Sequence, residues 1–210
     1  MKLVLHPSYF PCIATFSAMV QNDVVWERHD NFQKQTYRNR CYICTDQGKH
    51  MLNIPIKHVG DHEGRQKYAE VEMDNSYPWK KIHWRTLETA YRTSPFFEFY
   101  EDDLRPLFEG KDTSLFQFNL KAIHILGDCL GMEIPAEQTN TYEVTLSQNE
   151  DARFLVNAKK EMAMELDAYP QVFDDRHGFI PNLSILDLLF NEGTNALSYL
   201  KEQSLEFLHA

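Results

Sequence analysis

The sequence contains no apolar run that approaches the roughly 20 residues needed for a membrane-spanning helix, and its mean hydropathy is −0.49. Met1–Leu5 has one lysine and only three consecutive apolar residues, too few for a secretory signal peptide. We therefore expect no membrane insertion and a cytoplasmic location.

Cysteine and glycine motifs are also scarce. The four cysteines form only one C-x-x-C pair, Cys41 and Cys44, without a second pair at zinc-finger spacing. His58 and His62 alone make a weak metal site, so we predict reduced thiols and no metal centre. The eight glycines form neither G-x-G-x-x-G nor G-x-x-x-x-G-K-[ST], which disfavours Rossmann and P-loop sites and leaves the cofactor unknown.

The chain has fewer basic than acidic residues, 21 against 31, and its formal net charge is −10. The acidic excess lies in residues 98–112 and 150–210. Nucleic acids and anionic membranes require a concentrated positive surface, so neither is expected as a partner. A small anionic ligand would have to be met by a local cluster of cations.

The order of elements predicts an α/β fold. Leu3–Leu5, a helical stripe over residues 11–21 and a strand over Asp23–Glu27 form a βαβ unit, which implies a parallel or possibly mixed sheet as in nucleotide-binding folds. We expect one domain over residues 1–210, with an α/β beginning (1–76), a helical region (77–131), and a mixed segment with C-terminal helices (132–210).

Periodicity predicts the remaining elements. The predicted strands are 35–45 and 50–56, joined by a turn at Asp46–Lys49, together with Ala69–Met73 and Tyr142–Ser147. The predicted helices are 79–92, 96–108, 115–130, 184–191 and 195–208. Residues 57–67 have no period and hold two glycines, which favours a mobile loop.

The densest polar segment spans residues 31–40. If residues 34–40 are extended, Lys34, Thr36, Arg38 and Arg40 share one side, and Gln35, Tyr37 and Asn39 share the other. Aligned cations repel one another unless an anion lies between them, and guanidinium groups match phosphate or carboxylate. The alternative is a solvated face paired with Glu98–Asp103 or Asp174–Asp175.

Two further places carry reactive side chains. The loop His6–Pro11 follows the first strand, where open parallel sheets bind ligands, and His6 is a candidate general acid or base. The alternative is a packed turn with a structural imidazole. Ser184 and Asp187 match a capping box, which explains both polar residues without a functional role.

Five motifs combine into a family resemblance. In chain order they are P-x-Y-F-P, H-D-N-F-Q-K-Q-T-Y-R-N-R, N-I-P-I-K, W-x₃-H-W-x₆-Y-x₃-P-F-F and F-x-P-N-L-S-I-L-D-L-L-F-N-E-G. Together they resemble the WbqC-like family over almost the whole chain. The resemblance implies bacterial origin and an association with O-antigen and other surface-polysaccharide gene clusters. It favours a functional role for Lys34, Arg38 and Arg40 and, more weakly, for Ser184 and Asp187.

The first hypothesis is a transferase of surface-glycan precursor biosynthesis that acts on a phosphate-bearing substrate such as a nucleotide-linked sugar. The reaction would be acyl, aminoacyl or nucleotidyl transfer, although the H-x-G-H signature of nucleotidyltransferases is absent. The cations Lys34, Arg38 and Arg40 would hold the anionic group, while His6 and Asp187 are the catalytic candidates.

The other predicted contacts are Gln35 and Asn39 for orientation, Asp151 for a sugar hydroxyl or an amine, and Lys57, Arg153 and Ser184 as additional binding residues. The second hypothesis is a non-catalytic accessory protein of glycan assembly, whose ligand cluster has no titratable group within reach of the reacting atom. The oligomeric state is left open.

Overall fold

A computed structural model describes residues 1–57, 66–159 and 166–209 of the chain. Its strands are β1 (Leu3–Leu5), β2 (Val24–Trp26), β3 (Arg40–Thr45), β4 (Gly48–Asn53) and β5 (Glu150–Asp151). Its α-helices are α1 (Ile13–Gln21), α2 (Trp79–Tyr91), α3 (Phe97–Glu109), α4 (Leu115–Leu130), α5 (Asp174–His177), α6 (Ile185–Glu192) and α7 (Ala196–Glu202). Across these described ranges, no helix has both the length and the apolar character to cross a bilayer.

The predicted parallel βαβ unit is confirmed. Strand β1 pairs in parallel with β2 on one side and with β5 on the other, so the sheet order is β2-β1-β5. Helix α1 connects the first two strands, and its buried residues join the core. The three strands end at the same edge of the sheet, because they run in the same direction.

The two faces of this sheet are covered differently. Leu3 and Leu5 of β1 belong to the main hydrophobic core. Val4 and Val25 are buried too, but they line a small cavity together with the irregular segment 137–149. Parallel sheets need cover on both faces, and here a mostly exposed polar segment supplies it on the second face. We call residues 137–149 the strap.

The helical middle follows the prediction closely, and the predicted hairpin forms from strands shorter than those predicted. Strands β3 and β4 are antiparallel in the register Arg40↔Asn53 to Thr45↔Gly48. Gly48 adopts φ 91° immediately after the turn, a conformation that suits glycine. Helices α2, α3 and α4 begin and end within a residue of their predicted bounds, and they bury the stripes that predicted them.

Four predicted elements differ from the structure. The segment 35–39 is bent rather than extended, Tyr142–Ser147 is irregular, and Ala69–Met73 is replaced by a 3₁₀ turn at Tyr68–Glu70. The final helix ends at Glu202, and a separate 3₁₀ turn follows at Glu206–Leu208. The prediction of a mobile loop concerns residues that lie largely outside the described ranges. The prediction of one domain is untested and stays a prediction.

Candidate functional site

A polar cavity lies at the carboxyl edge of the parallel sheet. His6 follows β1, Glu27 follows β2, and Asp151 ends β5, so the strand order gathers three polar side chains from distant parts of the chain. The cavity has a volume of about 410 Å³ and is lined by His6, Asp30, Gln33, Thr36, Arg38, Tyr142, Val144, Asp151, Arg153, Phe154, Val156 and Asn157. Open α/β sheets characteristically bind ligands at this edge.

Arg38 is the most unusual side chain of the cavity. It is 1% exposed, and its Nη2 donates to His6 Nε2 at 2.7 Å and to Asp30 Oδ2 at 2.8 Å. The guanidinium also lies 5.3 Å from the centroid of the Tyr68 ring. Its Nε and Nη1 atoms are buried and have no hydrogen-bond partner among the described residues. Three of its five N–H donors are therefore left for a ligand or water.

The protonation of His6 follows from these contacts. Because a guanidinium N–H can only donate, His6 Nε2 accepts from Arg38 and the ring proton resides on Nδ1. Burial, and then the charge of Arg38, lowers the pKa of His6 to about 4. The imidazole is thus neutral at pH 7 and holds Arg38 in place. Its predicted role as general acid or base stays untested, and this geometry makes the ring a weak base.

Asp30 and Asp151 balance the two arginines of the cavity. Burial opposes the ionisation of both carboxyl groups. The charge of Arg38 and the backbone N–H of Asn31 nevertheless lower the pKa of Asp30, and hydrogen bonds from Arg153 lower that of Asp151. Both carboxylates are therefore ionised at neutral pH. The cavity has mixed charge and differs from the row of cations expected from the sequence.

Arg153 ties the sheet edge to the strap. Its Nε and Nη2 donate to both oxygens of Asp151 at 2.8 and 2.6 Å, and its Nη1 donates to the carbonyl of Glu143 at 2.9 Å. Its Nη1 also lies 3.6 Å from Oε2 of the fully buried Glu27. One guanidinium thereby fixes the wall that carries Tyr142. Its Nη2 also donates to the carbonyl of Val144 at 3.3 Å, so Arg153 bonds to two carbonyls of the irregular segment Tyr142–Ser147.

The expected single row of cations is wrong. Gln35 has φ 63°, and Tyr37 bonds through its backbone to Tyr9 and Val156, so residues 34–39 turn instead of alternating. Arg38 faces the first cavity, whereas Lys34 and Arg40 line a second cavity of about 430 Å³ on the other side of this turn. Gln35 and Asn39, predicted as orienting residues, also line the second cavity.

The remaining predicted site residues lie elsewhere. Lys57 is exposed and forms a 2.7 Å ion pair with Glu72. Ser184 accepts from the N–H of Leu186 and donates to the carbonyl of Phe10, as a helix cap does. It is 1% exposed and lines neither cavity.

Asp187 belongs to a buried network of its own. It is fully buried, and its carboxylate accepts from the hydroxyls of Tyr91 and Tyr169, both at 2.7 Å, and from Gln171 Nε2 at 2.9 Å. Burial raises its pKa. The geometry gives Asp187 partners within the core and no access to the cavity that contains His6, so it does not support the predicted catalytic role.

The acidic stretches do not neutralise the basic segment. Glu98 and Glu101 of α3 pair with Arg92 and, for Glu101, Arg105. Arg38 pairs instead with Asp30, eight positions earlier in the same motif. The alternative of a face solvated by Glu98–Asp103 or Asp174–Asp175 is therefore wrong for Arg38.

Sequence reasoning missed Asp30 and Glu27. Glu27 Oε1 accepts from the backbone N–H groups of His29 and Asp30 at 2.6 and 3.2 Å and from Thr139 Oγ1 at 3.1 Å. It thereby shapes the turn that presents Asp30 to Arg38. A signal was available, because Glu27 is the last residue of the predicted strand Asp23–Glu27, at the same edge of the parallel sheet as His6.

Metal ligands do not cluster in the part of the chain that the structure describes: no group of three or more His, Cys, Asp or Glu residues is positioned to hold an ion. The four cysteines are free thiols, and three of them are buried. His58 and His62 lie outside the described residues.

Fold and site together define an α/β protein with a buried arginine at the carboxyl edge of a small parallel sheet. The family model of the WbqC-like protein family matches residues 6–166 and 160–199, so the chain belongs to this family. The chain is 27% identical over 228 residues to the uncharacterized protein Rv1507c of Mycobacterium tuberculosis, with 94% of this chain and 96% of that protein covered. No solved structure matches the chain.

Proposed function

We propose that this protein binds a phosphate-bearing small molecule, such as a nucleotide-linked sugar, in the cavity at the carboxyl edge of its parallel sheet. The observation that carries the proposal is Arg38, whose guanidinium is buried while Nε and Nη1 have no partner among the described residues. A buried donor without an acceptor costs about 1–3 kcal/mol. Ligand oxygens would remove that cost.

The chemistry of the cavity fits this ligand class. Guanidinium donors form short, charge-assisted bonds with phosphate oxygens, and Asp30 and Asp151 offer acceptors to sugar hydroxyls. A volume of about 410 Å³ lies within the range of ligand sites, which is roughly 300–1,000 Å³. Lys34 and Arg40 line the separate cavity across the turn, so their predicted contact with the anionic group stays a prediction.

The proposed pathway is the cytoplasmic synthesis of bacterial surface-glycan precursors, which the family resemblance favours. The proposed reaction is acyl, aminoacyl or nucleotidyl transfer to or from the bound substrate. Arg38 would stabilise negative charge that develops in the transition state, because preorganised donors act strongly in a dry site. Asp151, whose side chain is 44% exposed, is the carboxylate most accessible to an incoming substrate.

A second candidate function is that of a non-catalytic ligand-binding accessory protein. It is favoured by the acid–base properties of the cavity, since the pKa values of His6, Asp30 and Asp151 are all lowered. An efficient general base has a pKa near the working pH. These three groups are shifted away from it.

The test is calorimetric titration with nucleoside diphosphate sugars, sugar phosphates, inorganic phosphate and uncharged sugars. We expect binding of phosphate-bearing compounds, and an affinity loss of about 10- to 100-fold for Arg38→Gln, since one charge-assisted bond contributes about 1.5–3 kcal/mol. Arg38→Lys retains the charge without the extra donors. Arg105→Gln, in an exposed ion pair on α3, is the matched control.

Unchanged affinity in a folded Arg38→Gln protein would overturn the proposed site, and equal affinity for uncharged sugars would overturn the ligand class. The two candidate functions are separated by incubating a bound nucleotide sugar with acyl and aminoacyl donors. Product that is lost in Asp151→Asn supports transfer, whereas tight binding without product supports the accessory function.

A further inference from the structure

A separate cavity lies away from the sheet edge, between the turn of the β3–β4 hairpin, helix α2 and the region of α5. Its volume is about 690 Å³, and Ile82, Ala90 and Phe173 give it an apolar floor. Ile82 is 40% exposed. We call this cavity the α2 groove.

The helix wall of the groove is more apolar than its sequence suggests. Thr86 and Thr89 line it, but their hydroxyls donate to the carbonyls of Ile82 and Arg85 at 2.9 and 2.8 Å. Hydroxyls that are satisfied within the helix leave the threonine methyl groups as the contact surface. The wall therefore suits an apolar side chain.

Two arginines frame the groove. Arg85 lies on α2 and Arg176 on α5, and both line the cavity together with one carboxylate, that of Asp46 in the hairpin turn. Neither forms an ion pair with any residue of the described ranges, whereas Arg92 and Arg105 are paired with glutamates of the same helix pair. An apolar floor between two unpaired cations fits an apolar side chain flanked by carboxylates.

Helix α3 presents that combination. Phe99 is 70% exposed, more than any other large hydrophobic side chain in the described α-helices and strands; Met51 of β4 follows at 43%. Asp102 and Asp103 follow it at the i+3 and i+4 positions and are exposed, so all three share one helix face. Neither aspartate has an ion-pair partner among the described residues, as the salt bridges of α3 use Glu98, Glu101 and Arg105.

We propose that two copies of this chain form a dimer in which α3 of each copy docks into the α2 groove of the other. Phe99 enters between Ile82 and Phe173, and Asp102 and Asp103 meet the arginines of the groove. In a twofold dimer the contact occurs twice, as isologous interfaces require. Helices α2 and α3 pack against each other, so the groove and Phe99 lie on neighbouring elements.

The interface is small and partly charged. Small interfaces with few apolar anchors are typically transient, and attraction between exposed charges is screened by salt. We therefore expect a monomer–dimer equilibrium that shifts towards monomer as protein concentration falls or salt rises. This inference does not depend on the proposed function.

The first experiment is sedimentation velocity of the full chain, from about 1 to 200 µM, a range that includes micromolar dissociation constants. We expect the mass to rise from 24.7 kDa towards twice that value. Phe99→Ser should weaken the dimer at least tenfold. Tyr77→Ser, which removes a different exposed aromatic side chain (57% exposed), should leave it unchanged.

Charge reversal supplies the sharper experiment. The double variants Arg85→Glu/Arg176→Glu and Asp102→Arg/Asp103→Arg should each be monomeric on their own, because like charges then meet in both contacts. An equimolar mixture of the two should form a heterodimer, since each contact then joins opposite charges again. Thermal unfolding of each variant checks that the exposed substitutions leave the fold intact.

Four outcomes would overturn the inference. The first is a wild-type protein that stays monomeric over the whole concentration range. The second is a dimer that is unaffected by Phe99→Ser and by Arg85→Glu/Arg176→Glu, which would place the interface elsewhere. The third is a charge-reversed mixture that does not associate, and open growth beyond the dimer would likewise rule out the twofold arrangement.

Discussion

Replacing Asp187 tests whether this carboxylate supports the fold or the chemistry. Asp187 lies at the start of α6, and its partners are Tyr91 at the end of α2, together with Tyr169 and Gln171 of the segment that precedes α5. Asp187→Ala removes the acceptor shared by two buried hydroxyls and an amide. Asp187→Asn retains one acceptor oxygen.

The expected loss of stability in Asp187→Ala depends on which of these donors still have another acceptor. Gln171 Nε2 also donates to the carbonyl of Ile180 at 3.0 Å, so it remains paired. The hydroxyls of Tyr91 and Tyr169 lose their acceptor, and each buried unpaired donor costs about 1–3 kcal/mol. Removing the buried carboxylate recovers part of its desolvation cost. We expect a loss of about 3–5 kcal/mol for Asp187→Ala and about 1–2 kcal/mol for Asp187→Asn.

Urea unfolding gives the free energy of unfolding for both variants, and calorimetric titration at low temperature gives their ligand affinity. A loss of about 3–5 kcal/mol is a large share of the 5–15 kcal/mol that stabilises a typical domain. A stable Asp187→Ala protein with lost ligand binding or activity would refute the structural interpretation. It would return Asp187 to the candidate site.

Two other predictions follow from buried side chains near the cavity. Burial lowers the pKa of His6 and His83 to about 4, so the unfolded chain binds more protons between that value and about 6.5. The free energy of unfolding should therefore fall as pH drops through this interval, and urea titrations of His83→Gln should show a flatter slope. Glu27→Ala should cost about 2–4 kcal/mol and weaken ligand binding by displacing Asp30, whereas Glu27→Gln should retain both in the same urea and calorimetric measurements.

The helical middle was predictable because periodicity alone determines which face of each helix is buried. His83, Trp84 and Leu87 of α2 predicted a core stripe, and all three are buried. The segment before β3 was not predictable in this way. Its alternating polar residues have a strand-like pattern, but the backbone of Tyr37 bonds to Tyr9 and Val156, and no local pattern encodes partners that distant.

Only part of the candidate site was predictable, because the site also depends on contacts between distant parts of the chain. His6 and Asp151 could be placed at one sheet edge only if β5 was known to pair with β1, and this two-residue strand is too short to leave a signal. Arg38 was found from its chemistry as a guanidinium in a polar motif. Asp30 was not predicted as its partner. Residues 34–40 were assumed to be extended, so the alternate positions of that segment were considered as binding residues.

The arrangement of charges explains how an acidic protein keeps several donors of a buried arginine unpaired among the described residues. Arg153 is fully engaged by Asp151, Glu27 and two strap carbonyls, and it therefore stabilises the wall of the cavity. Arg38 is held through Nη2 alone by a neutral histidine and one carboxylate. Because the two anchors share a single nitrogen, the guanidinium is fixed in position while its other donors stay unpaired within the described structure. Such preorganisation lowers the entropic cost of binding, since the recognising group is immobilised before the ligand arrives.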